Sequence, residues 1–178
     1  WELAIRGLAV FPGRFELLRA AEQVAYERGM YDECMSLLDR MASARPEAAV
    51  THYMRGDVFR EQMLWQQAHD EYARCQALTY AEPCDEWIRR SLEQQAWCSW
   101  MAREMSRALK EIQEVMQCPE SDGDGHSLAK YAMIMRSNKD LVGADRAAIR
   151  ARVLLPKDDF LVFFLNNLAL PRAVVIES

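Results

Sequence analysis

Glycine and proline are scarce in this 178-residue chain, at seven and six residues. That is too few turn formers for a protein built of many short strands, and the abundant Ala, Leu, Met, Glu, Gln and Arg favour helix instead. Positive charge is also short: 22 Lys and Arg stand against 27 Asp and Glu, a formal charge of −5. Without a basic face, nucleic acid is not an expected partner, nor is an anionic membrane surface. Long apolar runs are missing as well. The longest, Phe160 to Leu165, is cut by Asn166 and Asn167 and falls far short of the ~20 residues of a membrane span. Membrane insertion is therefore not expected. No secretory signal pattern opens the chain, and Trp1 stands where a Met would start it, so a longer parent protein is expected.

Cysteine is present but unpatterned. The five residues Cys34, Cys75, Cys84, Cys98 and Cys118 form no CxxC pair, which is unlike a disulfide framework or a zinc site. Buried thiols in a reducing cytoplasm are the expectation. Cys84 and Cys118 lie at the two ends of one helical hairpin, so they would be neighbours, with a pairing left open.

Catalytic grammar is equally thin. His52, His69 and His126 lie far apart, and none belongs to an HExxH pair or a nucleophile-elbow sequence. There is no GxGxxG or GxxxxGK[ST] loop to hold phosphates. The stretch SDGDGH at Ser121 to His126 lacks the ordered oxygen ligands and closing Glu of a calcium loop, and reads as a polar connector. No catalytic residue, metal site or cofactor is expected.

What the chain does have is a period. In ERGMYDECMSLLDRMASARP, Gly29 ends one helix, Tyr31 and Asp32 open the next, and Cys34, Leu37, Leu38 and Met41 form an apolar stripe at helical spacing. The same grammar returns with Trp65, Ala68, Tyr72 and Cys75 in the places of Tyr31, Cys34, Leu38 and Met41. Cys34 to Ala68 is 34 residues, and so is Pro12 to Pro46. Two further copies place Ala108 40 residues after Ala68, and Ala144 36 residues after that. The excess falls in connectors, where a loop grows at little cost.

Two antiparallel helices in about 34 residues resemble the tetratricopeptide repeat family. The residues that carry the resemblance are Gly29, Tyr31, Gly56, Ala68, Ala96, Ala108, Ala144 and the closing Pro12, Pro46 and Pro156. Glu22 departs from it, at a site where the family prefers a small residue. The resemblance implies an all-α fold, a right-handed α–α superhelix of antiparallel helix pairs. Its expected parts are residues 1–12 as the end of a preceding unit, units at 15–48, 49–82, 83–122 and 123–157, and a terminal or capping helix at 158–178. The apolar face of Phe160, Phe163, Phe164 and Leu168 in that last helix is expected to be covered, by the preceding unit or by another copy.

In such arrays the first helix of each pair faces a binding groove. The groove stripes then read Arg19, Gln23 and Tyr26; Tyr53, Asp57 and Arg60; Glu93, Trp97 and Trp100; Ala129, Met133 and Arg136. Aromatic and Arg side chains together are the usual composition of a binding hot spot. The expected partner is a protein or peptide, acidic or apolar, and self-association through the terminal helices is kept as an alternative. The family's carboxylate clamp for chaperone C-termini uses Lys and Asn at places that hold Arg19, Gln23, Met54, Arg90 and Gln94 here. With Met in place of the central Asn, that clamp is not expected. A non-catalytic protein-interaction scaffold follows; the alternatives are a pentatricopeptide-like RNA binder and a regulatory array attached to an enzyme.

Overall fold

The computed structural model of the chain describes residues 2–79, 85–118, 121–156, 161–162 and 165. Cys84 and the apolar face of the expected last helix lie outside them. Within them the backbone forms helices and no strand: α1 (Glu2–Val10), α2 (Phe15–Glu27), α3 (Tyr31–Ala44), α4 (Ala49–Glu61), α5 (Trp65–Thr79), α6 (Asp85–Met101), α7 (Met105–Val115), α8 (Gly125–Ser137) and α9 (Leu141–Leu154). None of the described helices is long and apolar enough to cross a membrane. Two compact units divide the chain, residues 1–98 and 99–178, with the boundary inside α6.

The period lives in the turns as much as in the helices. Gly29, Met63, Arg103 and Lys139 all have left-handed backbone, with φ of 68, 59, 65 and 67°. Each sits five residues before Cys34, Ala68, Ala108 and Ala144 in turn, so the turns keep the spacing of the small residues. In each, the left-handed residue's N–H reaches back three residues and the next N–H reaches back five. In the first turn Gly29 bonds to Tyr26 and Met30 to Ala25; in the second Met63 bonds to Arg60 and Leu64 to Phe59, all four at 2.9 Å. Arg103 to Trp100 and Glu104 to Ser99, then Lys139 to Arg136 and Asp140 to Met135, repeat the arrangement. These are Schellman endings, which satisfy carbonyls that a helix C-terminus would leave unpaired.

Only the first of the four has glycine, the residue that adopts this backbone without penalty. A side chain in left-handed backbone costs ~1–2 kcal/mol, partly offset by the freer unfolded chain that glycine brings. Met63 is 71% exposed, so its side chain contributes little packing. Met63→Gly is therefore expected to raise stability by up to ~1 kcal/mol, read as a higher urea midpoint with an unchanged slope.

Packing follows from the apolar stripes. In the first unit Phe15, Leu18, Ala21 and Ala25 of α2 share a core with Cys34, Leu37, Leu38 and Met41 of α3, joined by Leu8 and Val58. Between α4 and α5 the approach is tighter: a Cβ built on Gly56 would lie 2.6 Å from the Tyr72 ring, so only glycine fits there. The preceding pair inverts this arrangement. Glu22 stands 34 residues before Gly56, and Leu38 stands 34 before Tyr72. At the equivalent places the first pair has a long acid and a medium apolar residue where the second has no side chain and a large ring. Cys75 and Cys98 are buried in the same unit.

In the second unit α8 and α9 pack together, with Ala129 and Ala132 of α8 and Ala144, Ala147, Ala148 and Ala151 of α9 buried. The carboxylate of Asp124 caps α8 by accepting the Ser127 N–H at 2.8 Å, so the SDGDGH stretch ends as a helix start.

Candidate functional site

Helix spacing puts Glu22, Gln23 and Tyr26 on one face of α2, and Met54, Asp57 and Arg60 on one face of α4. In the first unit these six residues line a cavity of about 240 Å³. Four of them, Gln23, Tyr26, Asp57 and Arg60, belong to the groove stripes read from the sequence. Met54 belongs to the discounted clamp positions. Glu22 is the residue that departs from the repeat pattern.

The walls are held by a connected polar network. Asp57 Oδ1 accepts the Tyr72 hydroxyl at 2.8 Å and lies 3.4 Å from the Arg60 guanidinium. Arg60 also donates to Glu61 at 3.1 Å, to the Tyr26 hydroxyl at 3.4 Å and to Gln94 of α6 at 3.2 Å. Tyr26 donates in turn to Glu61 at 3.1 Å, and the Gln94 amide donates to the Tyr53 hydroxyl at 3.4 Å. Tyr53 stacks edge-on against Tyr72 and Trp87, with centroids 5.3 and 5.1 Å away. Burial pushes the Tyr26, Tyr53 and Tyr72 phenols well up, and the nearby Asp57 charge adds to it. They therefore act as hydroxyl donors throughout the physiological range. Burial also works against the charge of Arg60, but the Asp57 carboxylate and the hydrogen bond to the Tyr26 oxygen favour it, and the guanidinium stays protonated.

Glu22 is the exception to this satisfied network. It is 2% exposed, and its Oε2 has no hydrogen-bond partner. Burial raises its pKa to about 7, and Asp57 adds to the rise while Arg19 opposes it. The signal for it in the sequence was an acid at a position where neighbouring units carry Gly56 and Ala96.

The remaining sequence-read residues lie elsewhere. Arg19 is exposed on α2 outside the cavity lining, beside the cavity residue Gln23, whose amide donates to Glu27 at 2.9 Å. Trp97 is half-buried on α6 in the first unit. In the second unit Trp100 Nε1 donates to Ser137 at 3.0 Å, and Arg136 pairs with Asp145 at 3.1 Å. Met133 is 3% exposed, and Glu93 and Ala129 are likewise buried, so these three offer almost no surface where the stripe pattern placed them. Of the histidines, His52 Nδ1 lies 2.7 Å from Glu71, a carboxylate that burial raises but that His52, Arg74 and Arg55 hold below its usual range. Among the described residues, no group of His, Cys, Asp and Glu is arranged to hold a metal ion.

No protein-family model and no curated protein matches the sequence. Solved structures do resemble the fold. MamA from Desulfovibrio magneticus RS-1 (residues 41 to the end), a tetratricopeptide-like protein, is 15% identical over 86% of this chain and 84% of its own, with a TM-score of 0.67. BtubC from P. vanneervenii is 14% identical over 86% of this chain and 68% of its own, also at 0.67. A tetratricopeptide repeat protein from Parabacteroides merdae covers 92% of this chain and 74% of its own at 13% identity, with a TM-score of 0.49. In fold, the chain is a tetratricopeptide-repeat-like array, an all-α protein of antiparallel helix pairs in series.

Proposed function

We propose that the chain is a non-catalytic protein-interaction module, and that the face shared by α2 and α4 in its first unit binds a peptide segment of a partner. The observation that supports this most is the convergence of Gln23, Tyr26, Met54, Asp57 and Arg60 on one cavity, with the Tyr53 hydroxyl tied to its rim through Gln94. Mixed aromatic, apolar and charged walls, held in place before any ligand arrives, lower the ordering cost of binding. Arg60 serves here as a positioning residue, since its guanidinium is spent on Asp57, Glu61, Tyr26 and Gln94. Trp97 extends the same face in this reading, as an anchor on α6. Trp100 and Arg136 form a separate set in the second unit.

The test pairs binding with melting on the same variants. A pooled nonapeptide library passed over the immobilised chain should be retained by the wild type. Trp97→Ala should lower retention about thirtyfold in affinity, as removal of a central aromatic anchor costs ~2 kcal/mol. Its melting temperature should stay within a few degrees. A large fall in melting temperature with unchanged retention by the folded fraction would place Trp97 in the core and remove it from the site. No retention of any peptide by the wild type would end the peptide-binding reading.

A further inference from the structure

One carboxyl group in the α2–α4 cavity is left unserved by the fold around it. Glu22 lines the cavity and its Oε2 is buried without a partner, while the neighbouring Asp57, Arg60 and Tyr26 are all hydrogen-bonded to one another or to Tyr72 and Glu61. A buried acceptor without a donor is destabilising, and a donor brought in from outside would relieve it. The charge around it points the same way. Glu22 and Asp57 line the cavity, and Glu27 and Glu61 hold Gln23 and Tyr26 at its edge. Against these four carboxylates stand two guanidiniums: Arg60, already paired with Asp57 and Glu61, and the exposed Arg19.

We propose that this cavity receives the ammonium-bearing side chain of a peptide, of the lysine class, with Glu22 Oε2 as its buried acceptor. This rests on the reading of the α2–α4 face as a peptide site and names the chemistry it would select. At about 240 Å³ the cavity far exceeds the ~10–15 Å³ that a single water requires, which leaves room for an alkyl stem. Met54 and the ring of Tyr26 provide apolar wall for that stem, and an aromatic face attracts a cation. A compact ammonium suits one deep acceptor, whereas a guanidinium needs a planar fork of several. An acidic side chain would meet Glu22 and Asp57 as like charges.

Three capped tripeptides provide the probe: acetyl-Gly-Lys-Gly-amide, its norleucine counterpart with the same stem and no charge, and its glutamate counterpart. Each is titrated into the whole chain labelled at the methionine methyls, with the Met54 signal assigned by Met54→Leu. The lysine peptide should shift the Met54 methyl at concentrations at which the other two do not, and Glu22→Gln should weaken it at least tenfold. Its affinity should also rise about tenfold from pH 6 to pH 8 as Glu22 ionises under the opposing influence of Asp57 and Arg19, with the Cys34 thiol of α3 facing its backbone carbonyl. Glu22→Gln should abolish that pH dependence. Equal shifts from the lysine and norleucine peptides would overturn the cationic assignment while leaving the face a peptide site. The same holds if the glutamate peptide binds best. Lysine binding that Glu22→Gln leaves unchanged would remove Glu22 from the site. If the wild type retains the peptide pool but none of the three peptides moves Met54, the cavity holds water only and the assignment fails. If the pool is not retained either, the peptide-binding reading fails with it.

Discussion

Ala68→Asp is expected to leave the first unit unfolded at 25 °C. Ala68 has no exposed surface and packs in a cluster with Tyr72 and Cys98, flanked by Tyr53, Phe59 and Trp65. A carboxylate placed there adds volume to a site with no slack, because Gly56 already brings the α4 backbone against the Tyr72 ring. It also buries an ionised group without a partner, which adds several kcal/mol. Together the two effects exceed ~5 kcal/mol, which removes the whole stability of a unit at the low end of the ~5–15 kcal/mol usual for a domain. Far-UV circular dichroism should show a large loss of helix, with aggregation on warming. Ala68→Ser is the matched control: it adds one hydroxyl rather than a charge and should lower the melting temperature by only a few degrees. If Ala68→Asp melts like the wild type, the α4–α5 seam is loose enough to admit water, and the close packing at Gly56 does not hold in solution.

Ala68 was legible in the sequence because close packing of helix pairs demands a small residue at a fixed interval, and that demand is local and repeated. Cys34, Ala68, Ala108 and Ala144 are all buried for this reason. The turns were less legible. Gly29 announced its left-handed backbone by being glycine, while Met63, Arg103 and Lys139 adopt the same backbone against their own preference. There the helix pairing on either side fixes the turn, and no residue type reports it.

The binding face divides similarly. Spacing along α2 and α4 was enough to bring Gln23, Tyr26, Asp57 and Arg60 together, since residues three or four apart share a helix face. Spacing could not say what those side chains would bond to. The sequence pattern placed Arg60 in a groove stripe as a binding residue, but its neighbours Asp57, Glu61, Tyr26 and Gln94 come from three helices. Met133 failed as a groove residue for a related reason. Most of α8 is buried, including Leu128, Ala129, Ala132, Ile134 and Met135, so the position that the period assigned to the surface has little surface to reach. Periodicity identifies a face; the number of neighbours around a helix decides whether that face is open.

Glu22 carries the second large effect, expected in the pH dependence of stability. Its folded pKa is raised from 4.5 to about 7, chiefly by burial and then by Asp57, with Arg19 in opposition. A raised pKa means that the folded chain binds this proton more tightly than the unfolded one. The stability it contributes is therefore complete below pH ~4.5 and is lost as pH rises through about 7. At ~1.4 kcal/mol per unit, the loss approaches ~3 kcal/mol by pH 8. Other groups titrate over the same range, and Glu71, with its lowered pKa, contributes the opposite slope toward acid. The informative quantity is therefore the difference between the wild type and Glu22→Gln, in which those contributions cancel. Urea unfolding of the two should give nearly equal stability at pH 4.5. At pH 8 Glu22→Gln should be the more stable by ~2–3 kcal/mol, since an amide cannot ionise in the cavity. A difference that stays constant from pH 4.5 to 8 would mean that water or a counter-ion reaches Oε2 in the folded chain. Glu22 would then be an ordinary solvated carboxylate, and the cavity would have no buried acid for a cation to satisfy.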